Sequence, residues 1–195
     1  ILVGLLKYDK GTVLFDDEPL KNISLESLYK KVSYLSQDVP VFDGTIKENL
    51  AFDNEISEAD VQVCLEKTRL LSLLAAYGNG VETRIGEKGA CLSGGEKQRL
   101  ALARLWFEAP DIVILDEATS VLDNVTESIV MKNVLEQINQ AAVIAAAHHL
   151  TSIREFDRIV VFKNGRVVGN GTFEELLENN SYFFDLYRKE KENAG

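Results

Sequence analysis

Residues 112–117 read Ile-Val-Ile-Leu-Asp-Glu, four apolar residues followed by two adjacent carboxylates. A short apolar run bounded by polar residues predicts a strand buried on both faces. Residues 141–147 form a second run of this kind, and the two together indicate a central, partly parallel sheet. Open α/β sheets bind ligands at the carboxyl ends of their strands, so Asp116 and Glu117 fall where a ligand is expected.

The acidic pair admits two interpretations. It has the Walker B pattern, in which Asp116 would hold Mg²⁺, directly or through water, and Glu117 would polarise the water that attacks a γ-phosphate. The same six residues also fit an ordinary strand that ends in a solvated acidic turn. The neighbouring sequence has to decide between them.

A glycine-rich helix start lies upstream of the acidic pair. Residues 91–99 read Cys-Leu-Ser-Gly-Gly-Glu-Lys-Gln-Arg and lead into an apolar-periodic helix. Ser93 and Glu96 have the spacing of a capping box. Backbone N–H groups at such a start, left uncovered by Gly94 and Gly95, favour an anion such as phosphate. A Ser-Gly-Gly helix start alone is usually only a cap, but the full string followed by Asp-Glu favours a phosphate site.

The remaining pattern alternates helices and strands. The first predicted elements are an apolar helix tail at 1–6 that ends near Gly11, a strand at 12–15, a helix at 25–32 capped by Ser24, and a strand at 32–35. A long helix follows, which Ser57 caps and which runs to about Ala76. Towards the end of the chain we expect a hairpin around Asn164-Gly165 and a last helix with Thr172 and Glu175 as its capping box. Residues 43–107 are mainly helical and interrupt the sheet pattern.

Composition excludes several classes of protein. The net charge of −10 argues against nucleic acid or an anionic membrane surface as the main partner, since both favour clustered Lys and Arg. No apolar run approaches the roughly 20 residues of a membrane-spanning helix. Cys64 and Cys91 lack metal-type spacing and are expected to be incidental thiols, which fits the cytosol. A length of 195 residues suits one domain, 1–195.

These motifs together resemble the ATP-binding domain of ABC transporters, and the resemblance covers practically the whole chain. Residues 91–99 are similar to that family's signature motif. The resemblance implies an α/β, P-loop NTPase-like (RecA-like) core with an inserted α-helical signature subdomain at about 43–107. It also implies ATP and Mg²⁺ as ligands, with Ser93, Gly94, Gly95 and Glu96 contacting the nucleotide of a partner domain.

Residues 115–123 are similar to Walker B followed by the family's D-loop. The resemblance implies Asp116 as a Mg²⁺ ligand, Glu117 as a catalytic residue and Asp123 at a dimer interface. A helix cap is the alternative role of Asp123, and the two roles are compatible.

Two further motifs complete the implied site. Residues 34–37 and 41–50 resemble the Q-loop and the segment that follows it, which implies that Gln37 senses Mg²⁺ and the attacking water. Ala147-His148 resembles the switch histidine, which implies contact between the His148 imidazole and the γ-phosphate. His149 stands where exporters often carry Arg, so the two histidines could be confused with each other. Gln37 and His148 are therefore expected beside Glu117.

Residues 83–89 resemble the X-loop of exporters, which contacts the membrane domain. The resemblance implies an ABC-type ATPase at the cytoplasmic face of the membrane, as part of an integral membrane transporter. Its partners would be membrane-spanning domains and a second ATP-binding domain in a head-to-tail dimer, with no nucleic acid. Soluble chromosome-maintenance ATPases share related motifs but insert long coiled coils, and this sequence has no such heptad run.

One expected motif is missing. A P-loop needs Gly-x-x-x-x-Gly-Lys followed by Ser or Thr, and the sequence contains no Gly-Lys pair. The resemblance implies a domain truncated after the P-loop, which lacks its N-terminal strands and is inactive alone. The alternative is a truncated, non-catalytic subunit or regulatory module that offers only its signature face to a partner.

Overall fold

A computed structural model describes residues 1–52, 54–77, 79–86, 91–147, 150 and 152–193. The chain divides into two units, Ile1–Ala146 and Ala147–Gly195. The elements of the first unit, in chain order, are β1 (Leu14–Phe15), β2 (Glu18–Pro19), α1 (Leu25–Tyr29), β3 (Val32–Leu35), α2 (Ile46–Ala51), α3 (Glu58–Lys67), α4 (Leu71–Tyr77), α5 (Gly94–Glu108), β4 (Ile112–Asp116), α6 (Asn124–Gln137) and β5 (Ala142–Ala146).

The first residues form a turn, so the predicted helix tail at 1–6 is wrong. The Gly4 amide donates to the Ile1 carbonyl at 2.8 Å, and Gly4 has a φ of +73°. A left-handed residue ends a helix, and so short a run forms too few i→i−4 bonds to persist. The strand expected at 12–15 is reduced to β1, which pairs antiparallel with β2. The helix that Ser24 caps is shorter than predicted and ends at Tyr29.

A parallel three-stranded sheet in the order β3-β4-β5 lies at the centre of the first unit. Leu35 pairs with Leu115, and Asp116 pairs with Ala146. Because all three strands run the same way, their carboxyl ends meet at one edge of the sheet. The predicted parallel sheet is therefore confirmed.

Burial differs between the two predicted core strands. In β4, Val113 is fully buried and Leu115 nearly so. In β5, Ile144 is 47% exposed, so the prediction that this strand is buried on both faces is wrong. β5 is an outer strand of this sheet, and its exposed residues alternate along it, so they lie on one face.

The helices between β3 and β4 share an apolar core. Its buried members are Val41, Ile46, Leu50, Val61, Cys64, Leu65, Leu70, Leu73, Val81, Ile85, Leu92, Leu100 and Ala103. Burial raises the pKa of the Cys64 thiol to about 12, so this cysteine is an inert core residue. The separate subdomain at about 43–107 stays a prediction.

The predicted long helix from Ser57 to Ala76 is wrong, because it breaks at Arg69. Ser57 does cap α3, but Arg69 has a φ of +57°. The Leu70 amide then donates to the Leu65 carbonyl at 2.7 Å, and the Arg69 amide donates to Glu66 at 3.1 Å. This pair of bonds is a Schellman motif, with arginine at the position that glycine usually takes. Two shorter helices result.

A buried polar cluster joins α2 to α5. The Asn49 side chain accepts from the Phe42 amide at 2.9 Å and donates to the Phe42 carbonyl at 3.0 Å. Arg104 donates from Nε to the Asn49 carbonyl at 2.9 Å, and its guanidinium lies over the rings of Phe42 and Phe52. Asn49 is fully buried and Arg104 is 4% exposed. The cluster fixes residues 41–50, the segment that follows the predicted Q-loop, onto α5.

The second unit contains a hairpin and two helices: β6 (Ile159–Lys163), β7 (Arg166–Gly171), α7 (Phe173–Asn179) and α8 (Ser181–Asn193). Asn164 and Gly165 both have positive φ, as a tight hairpin turn requires, so this prediction is confirmed. Thr172 and Glu175 form the predicted capping box at the start of α7.

Among the described residues, the helices are too short or too polar for any of them to cross a membrane.

Replacing Asn49 by Ala should lower the free energy of unfolding by about 3 kcal/mol, because it removes the buried side-chain amide whose Oδ1 accepts from the Phe42 amide and from Arg104 Nη2. The bond from Arg104 Nε to the Asn49 backbone carbonyl would remain. Urea unfolding followed by Trp106 fluorescence would measure this, since Trp106 is the single tryptophan and packs on the same core. The control Asn22→Ala removes an exposed amide that bonds Glu18, and should change stability by less than about 0.5 kcal/mol. Equal losses of unfolding free energy in the two variants would contradict a large contribution of the buried cluster to stability.

Candidate active site

The carboxyl edge of the parallel sheet gathers two of the predicted site residues. Asp116 is the last residue of β4. Gln37 follows the end of β3, the neighbouring strand, and is exposed in a bend. His148 and His149 follow β5 along the sequence but lie outside the described residues, so the role of His148 stays a prediction.

Asp116 is exposed and has a partner that the sequence did not reveal. The Tyr34 hydroxyl, on β3, donates to Asp116 Oδ2 at 3.0 Å. This bond raises the pKa of Tyr34, because the tyrosine proton is held by the carboxylate. The sequence signal that could have predicted this bond is the position of Tyr34 on β3, the strand that pairs with β4. The bond orients the carboxylate at the edge of the sheet.

Glu117 has an unusual backbone conformation, with a φ of +53°. Its amide donates to the Ala146 carbonyl at 3.0 Å, which continues the β4–β5 ladder by one bond. Left-handed conformations of non-glycine residues are unfavourable and concentrate at functional sites. The backbone therefore leaves the direction of β4 at Glu117, immediately after Asp116.

The signature helix α5 begins with the predicted capping box. The Glu96 amide donates to Ser93 Oγ at 3.3 Å, while the Ser93 amide and hydroxyl donate to Glu96 Oε2 at 2.8 and 2.7 Å. Glu96 is therefore the capping partner of Ser93. Gly94 is exposed, so the helix start is open to solvent.

The D-loop segment, residues 118–123, packs on this helix start. A Cβ placed on Gly95 would lie 3.3 Å from Leu122 Cδ2, and one on Gly94 would lie 3.6 Å from Val121 Cγ2. A side chain at position 95 would be tight, so glycine permits the close approach. The structure thus brings the signature residues and the D-loop segment of one chain into contact.

Asp123 caps α6, which is the alternative role that the sequence left open for it. Its side chain accepts from the Thr126 amide at 2.9 Å. That backbone bond is the main reason why the pKa of Asp123 lies below its ordinary value. Its location at a dimer interface stays a prediction.

Arg99 lies close to the signature glycines. Its Nε is buried and has no hydrogen-bond partner among the described residues. Burial lowers the pKa of Arg99, whereas the charges of Glu96 and Asp123 raise it. The guanidinium stays charged, since an arginine pKa is far above neutral pH. It places a positive charge next to the helix start, which sequence reasoning did not single out.

The segment after the Q-loop is bonded to the first residues of the predicted X-loop. The Ile46 amide donates to the Thr83 carbonyl at 2.9 Å, and the Ile85 amide donates to the Gly44 carbonyl at 3.0 Å. Residues 87–89 of the X-loop lie outside the described residues. Gly44, Ile46, Thr83 and Ile85 are buried, so these bonds join the two segments from the inside, and Asp43 and Arg84 are exposed beside them.

Comparison with known proteins agrees with this geometry. The family model for ABC transporters matches residues 1–120. The mitochondrial iron-sulfur clusters transporter atm1 of Aspergillus fumigatus is 36% identical over 195 residues, which is 98% of this chain and 27% of that protein. The ATP-dependent lipid A-core flippase of Methylobacillus flagellatus is 37% identical over 195 residues, which is 97% of this chain and 33% of that protein.

A solved structure of a bacterial Atm1-family ABC exporter with ATP bound superposes with a TM-score of 0.88 at 29% identity, and covers 97% of this chain and 34% of that chain. The fold is thus that of an α/β ATP-binding domain with a P-loop NTPase-like core. The chain belongs to the ABC transporter family, and its similarity is to exporters. It spans about a third or less of the length of these relatives.

Replacing Asp123 by Ala should lower stability at neutral pH, and the loss should shrink as the pH falls below about 4. The folded chain binds the Asp123 proton more weakly than the unfolded chain does, because the carboxylate accepts from Thr126. Its contribution is therefore complete above the ordinary aspartate pKa and is lost as the pH falls through the lower folded value. Thermal midpoints measured from about pH 7 to pH 2.5 would test this.

The matched control is Asp123→Ser, which keeps a capping oxygen that does not titrate in this range. The difference between Asp123→Ser and Asp123→Ala should be independent of pH. A wild-type advantage over Asp123→Ala that stays constant down to pH 2.5 would contradict the role of the carboxylate.

Proposed function

We propose that this chain is the ATP-binding and ATP-hydrolysing motor domain of an ABC exporter that drives transmembrane transport. The observation that carries the proposal is the contact between the glycine-rich start of α5 and the segment that follows Asp116 and Glu117. Phosphate-binding amides and two carboxylates at a strand end are the parts that phosphoryl transfer requires.

Asp116 and Gln37 are the proposed Mg²⁺ ligands. Both offer oxygen atoms, which Mg²⁺ prefers, and both are exposed at the ends of neighbouring strands. The hydrogen bond from Tyr34 engages Oδ2 of Asp116 and holds the carboxylate at the sheet edge. When bound there, Mg²⁺ would neutralise charge on the transferred phosphate.

Glu117 is the proposed catalytic carboxylate. It would accept a hydrogen bond from the attacking water and orient that water toward the γ-phosphate. Because the backbone of Glu117 is left-handed, the chain turns between Asp116 and Glu117. The two adjacent carboxylates would therefore serve different ligands, Mg²⁺ for Asp116 and the attacking water for Glu117. His148 is proposed to contact the γ-phosphate, by its place after β5 in the sequence.

The signature residues are proposed to bind the nucleotide of a second ATP-binding domain in a head-to-tail dimer. Gly94 and Gly95 offer backbone N–H groups at the positive end of a 15-residue helix, while the Ser93 amide is held by Glu96 in the capping box. Asp123 would lie at the same interface. Glu96 would act through its capping bond to Ser93. The P-loop would have to come from residues outside these 195, which contain no Gly-Lys pair.

The membrane-spanning domains of the transporter are the second proposed partner. Residues 43–46 and 83–86 are bonded to each other, and the surface above these bonds carries an exposed ion pair between Asp43 and Arg84 at 3.3 Å. This surface belongs to the proposed helical subdomain, residues 43–107. Closure around ATP and opening after hydrolysis would transmit force there, at the cytoplasmic face of the membrane.

A second candidate is a non-catalytic module that offers only its signature face to a complete partner. The intact capping box of Ser93 at an exposed helix start favours it. Mixing the chain with an intact ATP-binding domain should then stimulate ATP hydrolysis. The protein as expressed from its own gene would in that case hydrolyse no ATP by itself.

Replacing Glu117 by Gln should reduce ATP hydrolysis at least about 100-fold, because the amide cannot accept the proton of the attacking water. ATP affinity should change little, since size and polarity are kept. Phosphate release and equilibrium ATP binding, measured on the protein as expressed from its own gene, test this. The control Glu136→Gln alters an exposed carboxylate of α6 and should leave both quantities unchanged. Undiminished hydrolysis by the Glu117 variant would remove this residue from the mechanism.

A further inference from the structure

Gln98 is a buried side chain to which the proposed function assigns no task. It lies on α5 and is only 3% exposed. Its Nε2 donates to Ser120 Oγ at 3.2 Å, and its Oε1 accepts from the Val121 amide at 3.2 Å. One side-chain amide of the signature helix therefore holds a side chain and a backbone group of the D-loop segment.

We propose that Gln98 is a positioning residue that locks the D-loop segment onto the signature helix of the same chain, so that the two nucleotide half-sites carried by this chain move together. The inference rests on the proposed function, in which Glu117 serves one nucleotide and Ser93 to Gly95 serve the other.

Close packing surrounds this pair of bonds. A Cβ placed on Gly95 would lie only 3.3 Å from Leu122 Cδ2. The helix start and the D-loop segment are therefore packed closely together. A shift of Ser120 and Val121 relative to α5 would break both bonds of Gln98 and leave its side-chain amide unsatisfied in a buried place. An unsatisfied buried polar group is unfavourable, which disfavours independent motion of the segment.

The other side of the D-loop segment is held by α6. Thr119 Oγ1 donates to Glu127 Oε1 at 2.6 Å, and Glu127 is 3% exposed. The Leu122 amide donates to the Thr119 carbonyl at 3.0 Å, and Asp123 then begins α6. The segment is therefore bonded to both helices, and Gln98 is the side chain that bonds it to α5.

Movement of Glu117 as one nucleotide binds would be passed through the D-loop segment to Ser93 and thus to the other nucleotide. Binding of ATP should then be positively cooperative, and the cooperativity should depend on Gln98.

The first test is amide hydrogen exchange in Gln98→Leu, which keeps the apolar part of the side chain and removes both bonds. The exchange rate of the Val121 amide should rise at least about tenfold relative to the amides of β4. Ser120→Ala, which removes one bond, should have a smaller effect, and should add little in the Gln98→Leu background. If the Val121 amide exchanged in Gln98→Leu as slowly as in the wild type, the proposal that Gln98 locks the D-loop segment onto α5 would be wrong.

A control variant separates this effect from general loss of stability. Val130→Ala creates a cavity at a fully buried position of α6 and lowers stability without removing either hydrogen bond of Gln98. It should raise exchange evenly, with no selective change at Val121. A selective change at Val121 in this control would also overturn the lock.

The second test measures ATP hydrolysis against ATP concentration in the protein as expressed from its own gene. The wild type should show a Hill coefficient above 1, and Gln98→Leu should reduce it to about 1, whereas Val130→Ala should not. A hyperbolic wild type, or cooperativity that survives in Gln98→Leu, would overturn the coupling. A wild type without any hydrolysis would instead refute the proposed function, and the exchange test would still decide the lock.

Discussion

The parallel pairing of β3, β4 and β5 is the constraint on which the rest of the first unit depends. Its register places the ends of the strands at one edge, so Gln37 and Asp116 stand at the ends of paired strands although helices α2 to α5 separate them in sequence. One further bond, from the Glu117 amide to the Ala146 carbonyl, extends the ladder beyond the strand and turns the chain. The chemistry of the edge is thus a consequence of backbone hydrogen bonding.

Helix caps provide the second level of order. Thr45, Ser93 and Thr172 each begin a helix with a capping box, in which the glutamate three residues later returns a bond to the backbone. At α5 the cap also serves the proposed function, since it fixes the helix start at which an anion would bind. The same local rule therefore stabilises ordinary helices and prepares a site.

The sequence predicted elements whose signals are local, and it failed where tertiary contacts decide. The strands β3, β4 and β5, the Asn164-Gly165 turn and the capping boxes of Ser93 and Thr172 follow from neighbouring residues. The break at Arg69 was missed because arginine has no intrinsic preference for positive φ, and the buried Leu70 stabilises it. The exposure of Ile144 depends on what covers β5, and the bonds of Tyr34 and Gln98 join residues that are distant in sequence. No periodic pattern encodes such contacts.

The Arg104 cluster has a consequence for surface rigidity. The rings of Phe42 and Phe52 are 50% and 45% exposed, yet both pack on one buried guanidinium and on each other, with centroids 5.6 Å apart. Exposed aromatic side chains normally lose rotamer freedom when another molecule covers them, and this entropy loss weakens association. Here most of that freedom is already lost in the folded domain. The surface is preorganised, and covering it would cost less entropy than covering two mobile rings.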